Sequence, residues 1–137
     1  RAEGILVGGN LALVYALLGS SYLVDFRDKI LFIEDIGENF YSLDRMLISL
    51  DLAGIFRKIK GIIIGGMINM GNEAENPDYE YSYDAMAYEI IAERLKKYSF
   101  PKLFAFPNGH IFDNVPLILG SEIKLKVSET EAKVEFL

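Results

Sequence analysis

The sequence predicts a mixed α/β fold, and three observations carry that prediction. Short apolar runs that stop abruptly at glycine or at carboxylates, as in Gly4–Asn10, Lys29–Asp35 and Gly61–Gly66, have the form of buried strands. Between them, Phe40, Leu43, Met46, Leu47, Leu50 and Ala53 recur in steps of three and four, the pattern of an amphipathic helix. The chain closes with two segments of alternating polar and apolar residues, which read as an antiparallel hairpin with one wet face. Strands interleaved with helices first and paired strands last make one mixed sheet.

Each element has its own local reason. Gly4–Asn10 is the first strand and Leu11–Leu18 a helix, with Asn10 as its N-cap and Gly19 just past its end. Lys29–Asp35 is rich in β-branched and aromatic residues and ends in two acids, Glu34 and Asp35. The periodic helix stops at Gly54, and Gly61–Gly66 is a third buried strand. From Asn69 to Tyr83 runs an irregular stretch with four acids and three tyrosines, too long for a plain connector; a lid over a cationic or peptidic substrate and a solvated loop both fit it. Asp84–Tyr98 is a helix capped by Asp84, with Met86, Ile90, Ile91 and Leu95 on one face, and Pro101 forbids its continuation. Lys102–Phe106 is a further strand, ended by a Pro107-Asn-Gly-His110 turn that carries the sole histidine. Ser121–Val127 and Ala132–Leu137 form the hairpin across the polar connection Ser128–Glu131. No linker or repeat interrupts residues 1–137, which read as a single domain.

Composition excludes several classes of function. The chain has 137 residues, with 14 basic against 20 acidic side chains and a net charge of −6, so phosphate backbones and anionic lipid surfaces are repelled and nucleic acid is not an expected partner. The absence of cysteine removes disulfides, thiolate metal sites and cysteine nucleophiles. The longest apolar stretch, Ile5–Leu18, is broken by Gly8, Gly9 and Asn10, and the amino terminus lacks the form of a signal peptide, so the expected compartment is the cytoplasm and no membrane partner is expected. The chain opens Arg-Ala-Glu-Gly and runs into a strand without an initiator Met, as a fragment would.

Asn10, the Glu34–Asp35 pair and His110 each lie where a buried strand gives way to a turn, the usual place for sites in α/β proteins. A histidine oriented by a carboxylate is the acid–base half of a nucleophilic triad. By placement alone His110 also fits a turn residue that satisfies backbone groups, Glu34 a solvated strand end, and Asp35 a turn cap. None of the eight serines lies in a Gly-x-Ser-x-Gly elbow, and one histidine with adjacent acids makes a poor metal site, so no metal or cofactor is expected. Gly8-Gly9-Asn10 before a helix is a weak anion-binding pattern without the spacing of the phosphate loops. What these residues describe is half an active site. A non-catalytic acidic interaction module, docking through its hairpin edge or long loop, is the rival reading.

The motifs Gly8-Gly-Asn-Leu11, Gly19-Ser-Ser-Tyr22, Ile30-Leu-Phe-Ile-Glu-Asp-Ile36, Asp44-Arg-Met-Leu47, Ala53-Gly-Ile-Phe56, Gly61-Ile-Ile-Ile-Gly65, Pro107-Asn-Gly-His110 and Pro116-Leu-Ile-Leu-Gly120 together resemble the carboxyl-terminal domain of the LD-carboxypeptidases. That serine peptidase family also includes microcin-immunity hydrolases. The resemblance implies a swivelling β/β/α domain and a Ser-Glu-His triad that releases the terminal D-alanine of cytoplasmic murein tetrapeptide. The family's glutamate falls on Glu34 and its histidine on His110, while Asn10 would border the substrate cleft. The serine and the oxyanion-hole amides would belong to a separate amino-terminal domain, so these residues alone would be inert. Loss of that domain would uncover apolar surface open to pairing of two chains, a homodimer. Immunity-type members carry a lysine four residues after the triad glutamate, where this chain has Glu38, a difference that tilts toward peptidoglycan peptides.

Overall fold

The computed structural model describes residues 1–71 and 85–137, and in these the expected mixed sheet forms. Its strands are β1 (Ala2–Asn10), β2 (Ile30–Ile36), β3 (Gly61–Ile68), β4 (Lys102–Leu103), β5 (Glu122–Val127) and β6 (Ala132–Phe136), arranged in the order β4-β3-β2-β1-β5-β6. β1 to β4 run parallel, whereas β5 is antiparallel to β1 and β6 to β5. β1 joins the two regimes: Ala2–Ile5 pair with β5 and Leu6–Asn10 pair with β2. The helices are α1 (Leu11–Ala16), α2 (Phe40–Leu52), α3 (Ile55–Lys58) and α4 (Ala85–Leu95). None of the described helices is long and apolar enough to cross a membrane.

Strand alternation sorts the core into two clusters. Leu31 and Ile33 pack with Leu43, Leu47 and Leu50 of α2 and with Ile91 and Leu95 of α4, while Ile30 and Phe32 pack with Leu6, Ile63, Ile123 and Leu125 on the other side. Burial on both faces explains why β2 and β3 read as continuous apolar runs, and each such side chain contributes about 1.5–3 kcal/mol by leaving water. By the same alternation Glu34 extends the Ile30–Phe32 row and Asp35 the Leu31–Ile33 row. Beyond the core, α2 and α4 are joined by a two-pronged Asp44–Arg94 ion pair at 2.5 and 2.6 Å, and Asp51 of α2 accepts from Lys97 at 2.6 Å and from the Tyr98 hydroxyl, just past the end of α4.

The structure departs from expectation at several boundaries. The first helix ends at Ala16, two residues short of Leu18. The one-turn α3 was not anticipated, because four residues are too few to show a period; it follows Gly54, whose φ of 76° lets the chain reverse out of α2 and bury Ile55 and Phe56. The expected strand Lys102–Phe106 is cut to two residues, since Ala105 adopts a left-handed φ of 53°; the chain then rejoins β3 through the Phe106 N–H to Ile64 carbonyl bond at 3.0 Å. β3, conversely, runs on through Gly65 and Gly66 to Ile68. The hairpin matches, closed by the Ser128 N–H donating to the Glu131 carbonyl at 2.8 Å. The Asp84 cap and all of the Asn69–Tyr83 stretch beyond Gly71 lie outside the described residues.

Candidate active site

The carboxyl end of β2 meets an irregularity in β3. The two strands keep register from Ile30–Gly61 to Ile33–Ile64 and then slip, so that Asp35 pairs with Met67. Gly65 and Gly66 therefore stand opposite the single residue Glu34, a bulge of the kind that re-aims side chains next to sites. A Cβ on Gly65 would lie 2.4 Å from the Asn108 carbonyl oxygen and 3.1 Å from the Glu34 Cβ, so only glycine admits both neighbours. The bulge is pinned by the Gly66 N–H donating to that Asn108 carbonyl at 2.9 Å and by the Tyr88 hydroxyl donating to the Gly65 carbonyl at 2.8 Å.

The segment seated on this bulge is a loop from Pro107 to Val115. Its ends are closed by the Val115 N–H to Pro107 carbonyl bond and by the Asn108 amide donating to the Val115 carbonyl, both at 2.7 Å. Nested inside, the Asn114 side chain accepts from the Gly109 N–H at 2.9 Å and donates to the Ile111 carbonyl at 2.6 Å. His110 sits at the tip, and its Nδ1 lies 2.8 Å from Glu34 Oε2. Gly109 has a φ of 126°, and a Cβ there would come within 2.8 Å of the same Oε2. Its missing side chain is what lets the loop descend onto the carboxylate.

The two members of the pair see different surroundings. The Glu34 side chain is 8% exposed and the His110 side chain 52%. The carboxylate is thus enclosed while the ring reaches solvent, and among the described residues the Nε2 of His110 has no hydrogen-bond partner. A carboxylate holding Nδ1–H selects the tautomer whose Nε2 carries a free lone pair.

Asn10 pairs in register with Glu34 across β1 and β2, so three of the positions singled out above share one corner of the sheet. Its side chain is engaged locally: Oδ1 accepts from the Leu13 N–H at 3.2 Å, as an N-cap should, and Nδ2 donates to Asp35 Oδ1 at 2.9 Å. Asp35 also accepts from the Ile36 N–H at 2.9 Å and the Ala12 N–H at 3.0 Å. Burial pushes the Asp35 carboxyl above the ordinary aspartate range; these three hydrogen bonds pull the other way, and the Glu34 charge adds to the rise. Asp35 is thus a cap rather than a reacting group, but what it caps is the first turn of α1. The weak anion site before α1 is already filled from within, because Asp35 and Asn10 take the N–H groups of Ala12 and Leu13. Gly8 has another purpose: a Cβ there would lie 1.9 Å from the Phe32 carbonyl oxygen, so β1 and β2 approach only if it is glycine.

The roles of Gly65, Gly109, Asn108 and Asn114 escaped sequence reasoning, although an Asn-Gly step before the histidine and a glycine pair inside a strand were the available signals. Among the described residues no three His, Asp or Glu side chains are grouped to hold a metal ion.

Comparison with known proteins bears on this corner. A family model described as LD-carboxypeptidase C-terminal domain matches residues 3–125. The chain is 33% identical over 135 residues to the probable murein peptide carboxypeptidase of Bacillus subtilis (strain 168), a match that covers 98% of this chain and 40% of that protein. Among solved structures, muramoyltetrapeptide carboxypeptidase from Oxalobacter formigenes aligns with a TM-score of 0.82 at 28% identity, covering 98% of this chain and 44% of that one. The microcin C7 self-immunity protein MccF in complex with aspartyl sulfamoyl adenosine aligns with a TM-score of 0.74 at 28% identity, covering 89% of this chain and 34% of that one. The chain thus spans about two fifths of the length of the curated relatives it matches.

Proposed function

The chain belongs to the LD-carboxypeptidase C-terminal domain family, and from that premise we propose that it supplies the glutamate and histidine of a Ser-Glu-His triad in a murein tetrapeptide carboxypeptidase. The observation that carries the reading is the 2.8 Å hydrogen bond between Glu34 and His110, formed across 76 residues of sequence. It joins a buried anion to a half-exposed ring whose second nitrogen is open.

In this reading Glu34 accepts from Nδ1–H and fixes the tautomer. Nε2 takes the proton of an attacking serine hydroxyl and later returns it to the departing amine of the terminal D-alanine. Between those steps the ring is an imidazolium, and the adjacent carboxylate stabilises it. The serine and the oxyanion donors come from a domain outside these 137 residues, which accords with the two-fifths coverage of the relatives. No step needs a metal or cofactor. Asn10, in register with Glu34, borders the cleft through its backbone, since its side chain is occupied.

A murein peptide is favoured over a microcin-type substrate because Glu38 stands where the immunity members carry lysine, and the relatives named above include two murein peptidases. Turnover of recycled wall peptides places the enzyme in the cytoplasm. The test is D-alanine release from murein tetrapeptide by the full-length gene product. His110→Ala is expected to lower turnover by about 10³-fold or more, and the 137-residue chain alone to release none. Equal rates for wild type and His110→Ala would retire the triad, and no release by the wild type would favour the acidic interaction module instead.

A further inference from the structure

Asn114 lies four residues past His110 and reaches back across it. One of its side-chain atoms accepts from the N–H of Gly109 and the other donates to the carbonyl of Ile111, so a single amide grips the peptide on both sides of the histidine. Building on the triad reading above, we propose that Asn114 is a positioning residue for His110, setting the height and rotation of the imidazole over Glu34 and hence the direction of Nε2.

The need for such a device follows from the geometry. The His110 side chain is half exposed and makes one hydrogen bond, and a single bond leaves a ring free to pivot about it. The remaining constraint has to come from the backbone, where Gly109 brings the widest conformational freedom of any residue. The outer closure by Asn108 and Val115 holds the ends of the loop and does not reach its tip. The Gly66 N–H holds the Asn108 carbonyl from one side, and the inner grip ties the peptides before and after the ring to each other.

The chemistry of the side chain is specific. The task requires an acceptor for an N–H and a donor for a carbonyl, one atom apart, which asparagine provides. An aspartate would keep the Gly109 bond but would turn its second oxygen toward the Ile111 carbonyl and bring a negative charge beside the imidazole. Asn114 is exposed and no buried group depends on it, so the grip is separable from the stability of the fold.

The experiment compares wild type, Asn114→Ala and Asn114→Asp in the full-length gene product. Its readouts are kcat, KM and the pH–rate profile for D-alanine release, together with thermal melting. Selective ¹⁵N-histidine labelling adds the ring signals, those of His110 being assigned by their loss in His110→Gln. Asn114→Ala is expected to lower kcat by about 10- to 100-fold, as a misplaced reacting group does, with KM and melting temperature held. Its Nδ1 proton signal should also shift or broaden. Asn114→Asp should move the acid limb of the profile to higher pH, because the new carboxylate favours the imidazolium. If the alanine variant fails to fold, the aspartate profile decides. Wild-type kcat and an unmoved profile in these variants, in an enzyme that His110→Gln silences, would overturn the proposal and leave the triad standing. Activity that survives in His110→Gln removes the triad and this inference with it.

Discussion

Leu47 and Glu34 are both almost fully buried, yet they are held by different means. Leu47 sits in the cluster between α2, α4 and the sheet, where many side chains share the contact. Glu34 sits where the β3 bulge and the His110 loop bring backbone against it, with Gly65 and Gly109 each leaving no room for a methyl group. Contacts in the first region are numerous and non-directional, whereas those in the second are few, directional and without slack. The helix-side core should therefore govern stability, and the carboxyl-end corner should govern chemistry.

Four substitutions sharpen or break that contrast, taken here from the largest effect to the smallest. Glu34→Gln should cost about 10³- to 10⁴-fold in D-alanine release by the full-length product, because the amide no longer holds the right tautomer. Its melting temperature should hardly move, and retained activity would erase the distinction between the two regions. Gly109→Ala places a methyl group on Oε2 at a strained backbone; about 10²-fold of activity and 1–3 kcal/mol of stability should be lost, read by turnover and urea unfolding. Leu47→Ala should behave in the opposite sense, losing about 2–5 kcal/mol in urea while activity per folded molecule holds. Asp44→Asn removes a partly exposed ion pair and should cost under about 1 kcal/mol. Its pH dependence has a definite sign. The Arg94 hydrogen bond keeps the Asp44 carboxyl below the usual aspartate range, so the wild-type advantage is complete above about pH 4 and fades as pH falls through the lower folded-state value. An advantage that grew on acidification would refute that assignment.

The Glu34–His110 pair was legible in the sequence for a physical reason. Parallel strands end at one rim, and Glu34 and His110 were recognisable as polar groups at strand ends, so their meeting needed only the common orientation of β2 and β3 with the short β4 that leads into the loop. That Asp35 caps was legible likewise, as a carboxylate at a strand end, but that it caps the start of α1 was not. The bulge was not. Gly65-Gly66 in an isoleucine run reads as the end of a strand, and only the pairing partner shows that one residue is surplus. Asn114 was hidden because its two contacts, five and three residues upstream, follow no helix or strand period. The shortness of β4 depends on a left-handed alanine, which nothing in the local composition marks.

The acid and the base of the candidate triad are separated by 76 positions, with β3 and α4 between them. During synthesis the carboxylate leaves the ribosome before its ring partner, with β3 and α4 emerging in between. Closing so long a loop requires the intervening strand to dock beforehand. A ribosome that stalls before the Pro107–Val115 loop consequently yields a polypeptide with no proton acceptor and without Ile123 and Leu125 of the second core cluster. The pair and the sheet would then be completed together, because His110, β5 and β6 all follow α4.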